Sequence, residues 1–80
     1  MMYDPTQYFH IYTQEGRACP WCDKAKALLT ANHRPYHSTP LGRDALLAMA
    51  ATNKHDTVPM ILHGEKFIGG FSELEAYLKG

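Results

Sequence analysis

The sequence has little that would tie it to a scaffold, a surface or a polymer. Only two cysteines occur in 80 residues, three positions apart. A small secreted domain held by disulfides needs more of them, at wider spacing. Neither sign of charge is in excess, with eight basic and eight acidic residues, so no long-range field draws nucleic acid or an anionic membrane. No apolar run approaches the roughly 20 residues of a membrane span. The opening Met1-Met2-Tyr3-Asp4-Pro5 lacks the basic start and apolar stretch of a secretory signal. Internal repeats, linkers and low-complexity tracts are missing as well. The expectation is a single cytoplasmic domain over residues 1–80, monomeric, without nucleic-acid or membrane partners, and with residues 1–7 as a frayed tail.

What is present is ordinary globular composition, 45% apolar and 20% charged. Tyr8-Phe9-His10-Ile11-Tyr12 is aromatic and β-branched, which predicts a strand. Thr13 to Ala18 contains Gly16 and reads as a loop. Pro20 to Asn32 reads as a helix: proline suits the first turn, Ala25, Leu28, Leu29 and Asn32 share one face, and Pro35 provides a stop. Pro35 to Thr39 is a weaker second strand, followed by a loop at Pro40-Leu41-Gly42. Asp44 to Thr52 has helical composition, and Asn53 to Thr57 is a polar turn. Pro59 to His63 and Lys66 to Ile68 form a hairpin around Gly64-Glu65, with glycine first as in a type II′ turn. Ser72 and Glu75 have the spacing of a capping box that opens a last helix to Lys79. The order β-α-β-α-β-β-α predicts an α/β protein with one mixed four-stranded sheet and helices on both faces, a thioredoxin-like arrangement.

Cys19-Pro20-Trp21-Cys22 follows a strand and opens a helix. A thiolate, not a thiol, is the nucleophile in disulfide exchange. At a helix N-terminus Cys19 faces unpaired backbone N–H groups and the positive end of the helix dipole, with Arg17 and Lys24 as further cations. Cys22 lies on the same side of the first turn and is shielded by the helix. The first sulfur is expected to attack and the second to resolve. The competing reading is half of a zinc site. It needs two ligands from His10, His33, His37, His55 and His63; His33 and His37 show no strong ligand spacing relative to the pair, and the histidines read as surface residues. A C-x-x-C pair beside a strand–helix–strand unit favours redox chemistry.

Three blocks carry a family resemblance. Ile11-Tyr12-Thr13 followed by Cys19-Pro20-Trp21-Cys22-Asp23-Lys24-Ala25-Lys26-Ala27-Leu28-Leu29 resembles the active-site segment of glutaredoxins. Thr57-Val58-Pro59 resembles their threonine–valine–cis-proline turn, and Ile68-Gly69-Gly70-Phe71-Ser72-Glu73-Leu74 their diglycine segment. Singly, each has a plain structural explanation; together, in family order over residues 8–79, they are specific. The short length and the Gly-Gly-Phe block are most similar to glutaredoxins encoded by phages, which would put the protein in the host cytoplasm. The resemblance implies glutathione as co-substrate, with no metal and no tightly bound cofactor. It also implies a groove beside Cys19. There the Val58 backbone would pair with the cysteinyl part of glutathione, and Pro59 would follow a cis bond. Gly69 and Gly70 would allow close approach, Phe71 and Ser72 would offer N–H groups to the γ-glutamyl carboxylate, and Trp21 would wall the groove.

The sequence departs from the family at the other end of that groove. Gly16 stands where a lysine is common, and Gln14 follows the Ile11-Tyr12-Thr13 block. Leu46 replaces a polar residue of the second helix, and Asp56 precedes Thr57. Arg17 is the nearest cation left for the glycine carboxylate. The resemblance implies a glutathione-dependent reductase of protein disulfides and glutathione mixed disulfides, with ribonucleotide reductase as a protein client and glutathione reductase closing the cycle. One alternative is a thioredoxin-like hydrogen donor reduced by thioredoxin reductase. Another is a module in which Cys19 and glutathione hold an iron–sulfur cluster, which Pro20 disfavours.

Overall fold

A computed structural model describes residues 8–80; the expected frayed tail at 1–7 lies outside them. The elements are β1 (Phe9–Gln14), α1 (Pro20–Ala31), β2 (Tyr36–Leu41), α2 (Arg43–Asn53), β3 (Met60–His63), β4 (Lys66–Gly69) and α3 (Phe71–Lys79). The sheet order is β2-β1-β3-β4. β1 runs parallel to β2 and antiparallel to β3, and β3 and β4 form the antiparallel hairpin. The fold is thioredoxin-like, as the element order predicts.

Alternation along β1 sets the two faces, because successive side chains in a strand point to opposite sides. Phe9 and Ile11 are fully buried, and Ile61 lies directly opposite Ile11 on β3. Ala25 and Leu29 of α1 and Leu74 of α3 close over this face and complete the core. Met60, one residue from Ile61, points the other way and lines a cavity with Leu46, Leu47 and Ala50 of α2. The helices therefore cover both faces. Among the described residues no helix is long and apolar enough to cross a membrane.

Several local expectations are corrected. β1 continues to Gln14 and β2 to Leu41, because Thr13 and Gln14 pair in register with Pro40 and Leu41. The expected loops at those positions are strand. β2 is an edge, where a proline costs no ladder bond that the sheet needs. α1 ends before Pro35 acts. Asn32 donates its side-chain amide to the Leu28 carbonyl at 2.8 Å, and His33 turns left-handed with φ 57°. The backbone N–H groups of His33 and Arg34 then return to Thr30 and Leu29, so the terminal carbonyls are satisfied locally. Gly64 takes φ 62° in the hairpin turn, as the glycine-first pattern requires.

The last helix starts two residues earlier than the Ser72–Glu75 spacing suggests. Its N-cap is Gly70, and the Glu73 carboxylate accepts the Gly70 N–H at 2.7 Å. Glycine has no side chain to return the bond, so only the carboxylate half of the box exists. Gly69 makes room for it. Its φ is 128°, and a Cβ there would come within 2.8 Å of the Glu73 side chain. His63, expected at the surface, is instead half-buried. It stacks on Phe9 with centroids 4.1 Å apart and shares a 2.7 Å hydrogen bond with the Tyr77 hydroxyl.

Candidate active site

Cys19 and Cys22 are joined as a disulfide, with Cα atoms 5.1 Å apart. Cys19 is the N-cap of α1 and Pro20 its first residue, so the pair sits where the sequence puts it. The Cys19 sulfur accepts the backbone N–H of Cys22 at 3.1 Å, so one of the unpaired donors of the helix start is spent on that sulfur. The two sulfurs are not equivalent. Cys22 is 2% exposed and buried under the helix, whereas Cys19 is half-buried. A cavity of about 320 Å³ opens at the pair, lined among others by Thr13, Arg17, Asp23 and Lys26. Lys24, counted above as a cation near Cys19, lies over the Trp21 ring at 4.3 Å, a cation–π contact.

A second cavity of about 360 Å³ is bounded by Trp21, Thr57, Val58, Pro59, Gly70, Phe71 and Ser72, with His55 and Glu73. The Val58–Pro59 bond is cis. Trp21 and Phe71 form one wall, with centroids 5.5 Å apart. Most of the residues that the resemblance implies for a groove are thus brought together. Gly69 is not among them; it lies buried in β4 and acts through Glu73. Arg17 lines the cavity at the disulfide and a further one against α2 instead.

That further cavity, about 550 Å³, adjoins the same Thr57–Val58 edge and is lined also by Gln14, Arg43, Leu46, Leu47, Asp56 and Met60. It brings together Gln14, Leu46 and Asp56, three of the four departures from the family pattern. Gly16 has its own local reason: the loop turns there with φ 77°, a conformation that a lysine adopts at a cost.

Sequence reasoning missed four neighbours of these sites. His55 shares a 3.2 Å hydrogen bond with the Thr57 hydroxyl and meets the Phe67 ring edge-on; no motif marks it. Glu73 was legible as the acid three residues after Gly70. Arg43 and Leu47 become visible only once α2 is set against the Thr57 loop.

The glutaredoxin family model matches residues 9–68. The chain is 40% identical over 68 residues to a hybrid peroxiredoxin of Haemophilus influenzae, covering 84% of this chain but only 27% of that protein. To glutaredoxin 3 of Escherichia coli it is 35% identical over 68 residues, covering 82% of this chain and 80% of that one. A solved buckwheat glutaredoxin–glutathione complex superposes with a TM-score of 0.75 at 20% identity, over 89% of this chain and 67% of that chain. At that identity it speaks for the fold alone. A matched family model over most of the chain, a close relative matched over most of its length, and a cysteine pair at a helix start lead to one conclusion. The chain belongs to the glutaredoxin family of thiol–disulfide oxidoreductases.

Proposed function

We propose that this protein uses glutathione to reduce protein disulfides and glutathione mixed disulfides, with Cys19 attacking and Cys22 resolving. The observation that carries the reading is the groove from Trp21 along the Thr57–Pro59 edge to Gly70 and Phe71. It offers an extended thiol peptide the backbone at Val58, an aromatic wall, and N–H groups at the start of α3. Docking there is strand addition, with main-chain bonds for affinity and wall contacts for selection.

In the reduced protein the Cys22 N–H and the start of α1 favour the Cys19 thiolate. That thiolate attacks one sulfur of a substrate disulfide and displaces the other as a thiolate, which takes up a proton. The buried Cys22 then displaces the second substrate sulfur from Cys19 and closes the protein disulfide. Two electrons pass from the dithiol to the substrate. Two glutathione molecules return them in the same two steps and leave as glutathione disulfide. No metal or resident cofactor takes part. Ribonucleotide reductase is the protein client that the family resemblance suggests. The likeness to a segment of a hybrid peroxiredoxin adds an oxidised peroxiredoxin as a second client class.

The test is a coupled assay on one disulfide substrate. Glutathione with glutathione reductase is expected to sustain NADPH consumption, while thioredoxin reductase alone is not. The opposite outcome would make the protein a thioredoxin-like hydrogen donor. Visible absorbance in freshly purified protein would instead support the cluster-holding reading.

A further inference from the structure

The cavity against α2 is larger than the groove on the other side of the Thr57–Val58 edge, about 550 against 360 Å³. Its chemistry also differs. Leu46, Leu47 and Met60 give it an apolar floor, and Leu47 is 56% exposed. Arg17 and Arg43 stand at its rim against one carboxylate, Asp56. The Glu15 carboxylate lies toward Gly42 rather than among the lining residues. Arg17 also lines the cavity at the disulfide, so that one side chain borders both spaces.

A glycine carboxylate has no side chain with which to fill an apolar floor of this size. We infer that the cavity reads a protein client: it receives an apolar residue directly after the client's reacting cysteine, with an acidic residue following it. The inference rests on the proposed docking at Val58. An extended segment paired there alternates its side chains. If its N-terminal part lies toward Phe71, the residue after the cysteine falls on the α2 side. Its side chain covers Leu47 and Met60, which removes apolar surface from water. The following carboxylate meets Arg43 and Arg17, where guanidinium groups favour paired hydrogen bonds to a carboxylate. A basic residue there would face two like charges, so the rim selects as well as attracts.

Fully reduced protein is mixed with symmetric disulfides of short blocked peptides, and released peptide thiol is measured over a single turnover. The peptides are Ala-Cys-Leu-Glu, Ala-Cys-Leu-Lys and Ala-Cys-Gly-Gly, each rate divided by that with dithiothreitol to remove intrinsic reactivity. The Leu-Glu disulfide is expected to react about five- to tenfold faster than the Gly-Gly one, from partial burial of one leucine and one exposed charge contact. Arg43→Glu should reverse the order of Leu-Glu and Leu-Lys and leave Gly-Gly unchanged. Leu47→Ser should shrink the advantage of leucine over glycine. Equal rates for Leu-Glu and Gly-Gly would overturn the inference. So would an Arg43→Glu effect on glutathione disulfide as large as on Leu-Glu, because the cavity would then read only a terminal carboxylate. If neither the peptides nor glutathione disulfide oxidises the unmodified protein, the proposed function itself fails, which is a separate result.

Discussion

On the face covered by α1 and α3, Phe9, Ile11, Ala25, Leu29, Ile61 and Leu74 are all fully buried; across the sheet, Leu46 is the one buried residue of α2, and Leu47 is half in solvent. The disulfide rides on the first of these faces, at the start of the helix that supplies Ala25 and Leu29. The large cavity lies on the second. The contrast separates two requirements of the proposed active site. Exchange chemistry needs a fixed helix start, since a sulfur displaced from the N–H groups loses their help. Recognition of varied clients needs open surface whose side chains can change without disturbing that geometry. Because the Thr57–Val58 edge adjoins both sides, a substrate docked on it would touch the rigid half and the variable half at once.

The largest effect should come from the cysteines. Cys22→Ser is expected to keep the removal of glutathione from mixed disulfides, which needs only Cys19 and an incoming thiol. It should lower dithiol reduction of a protein disulfide by roughly a hundredfold or more, because no internal sulfur resolves the mixed disulfide. Alkylation of single-cysteine variants should also persist to lower pH for Cys19 than for Cys22. Equal loss of both activities, or the reverse alkylation order, would assign the roles wrongly and detach the chemistry from the packed helix start.

Truncations in the two faces test the packing contrast directly. Leu29→Ala empties a fully buried site that α1 shares with Phe9 and Leu74, and should cost about 2–5 kcal/mol in urea unfolding. Leu46→Ala borders an open cavity that water already reaches, and should cost less, about 1–2 kcal/mol. Matching losses at the two positions would mean that α2 is held as firmly as α1.

At the groove wall, Gly69→Ala brings a Cβ within 2.8 Å of the Glu73 side chain in a left-handed conformation. Both the backbone and the cap of α3 are disturbed, for about 1–3 kcal/mol. Glu73→Ala removes the cap alone, for about 1 kcal/mol. If the two lose equal stability, strain at Gly69 contributes nothing and the wall depends on Glu73 only.

These particulars also mark how far the residue pattern reaches. Phe9, Ile11, Ala25 and Leu29 are legible because periodicity records which side chains share a face. The cysteine pair is legible because proline at the first helical turn fixes where the helix begins. Element ends are less so. Thr13, Gln14, Pro40 and Leu41 become strand through pairing with one another across some 27 residues of chain, which no local window contains. The Ser72–Glu75 spacing points to the wrong acid at the start of α3, where the positive φ of Gly69 and the room beside it admit Glu73 as the cap instead. His63 looks like a surface histidine until Phe9 and Tyr77 close around it. Arg43 and Leu47 carry no motif, since their relation to Thr57 and Met60 is made by the packing of α2 alone.

The smallest effect concerns Arg17, the residue common to the disulfide cavity and the α2 cavity. It is exposed, and its guanidinium is the only cation lining both spaces among the described residues. The backbone contacts offered by Val58 and by the start of α3 do not depend on it. Removing it should therefore weaken ground-state binding of glutathione without touching the sulfur chemistry. An exposed charge contact contributes about 0–1 kcal/mol, so Arg17→Ala should raise the Michaelis constant for glutathione up to about fivefold and leave the maximal rate near that of the unmodified protein. The effect should shrink at high salt, where exposed charges are screened. Arg17→Lys should recover part of it, since charge is kept while the paired hydrogen-bond geometry is lost. A fall in the maximal rate with an unchanged Michaelis constant would place Arg17 with the reacting sulfurs on the packed side. It would then belong to the chemistry of the helix start and not to the recognition surface of α2.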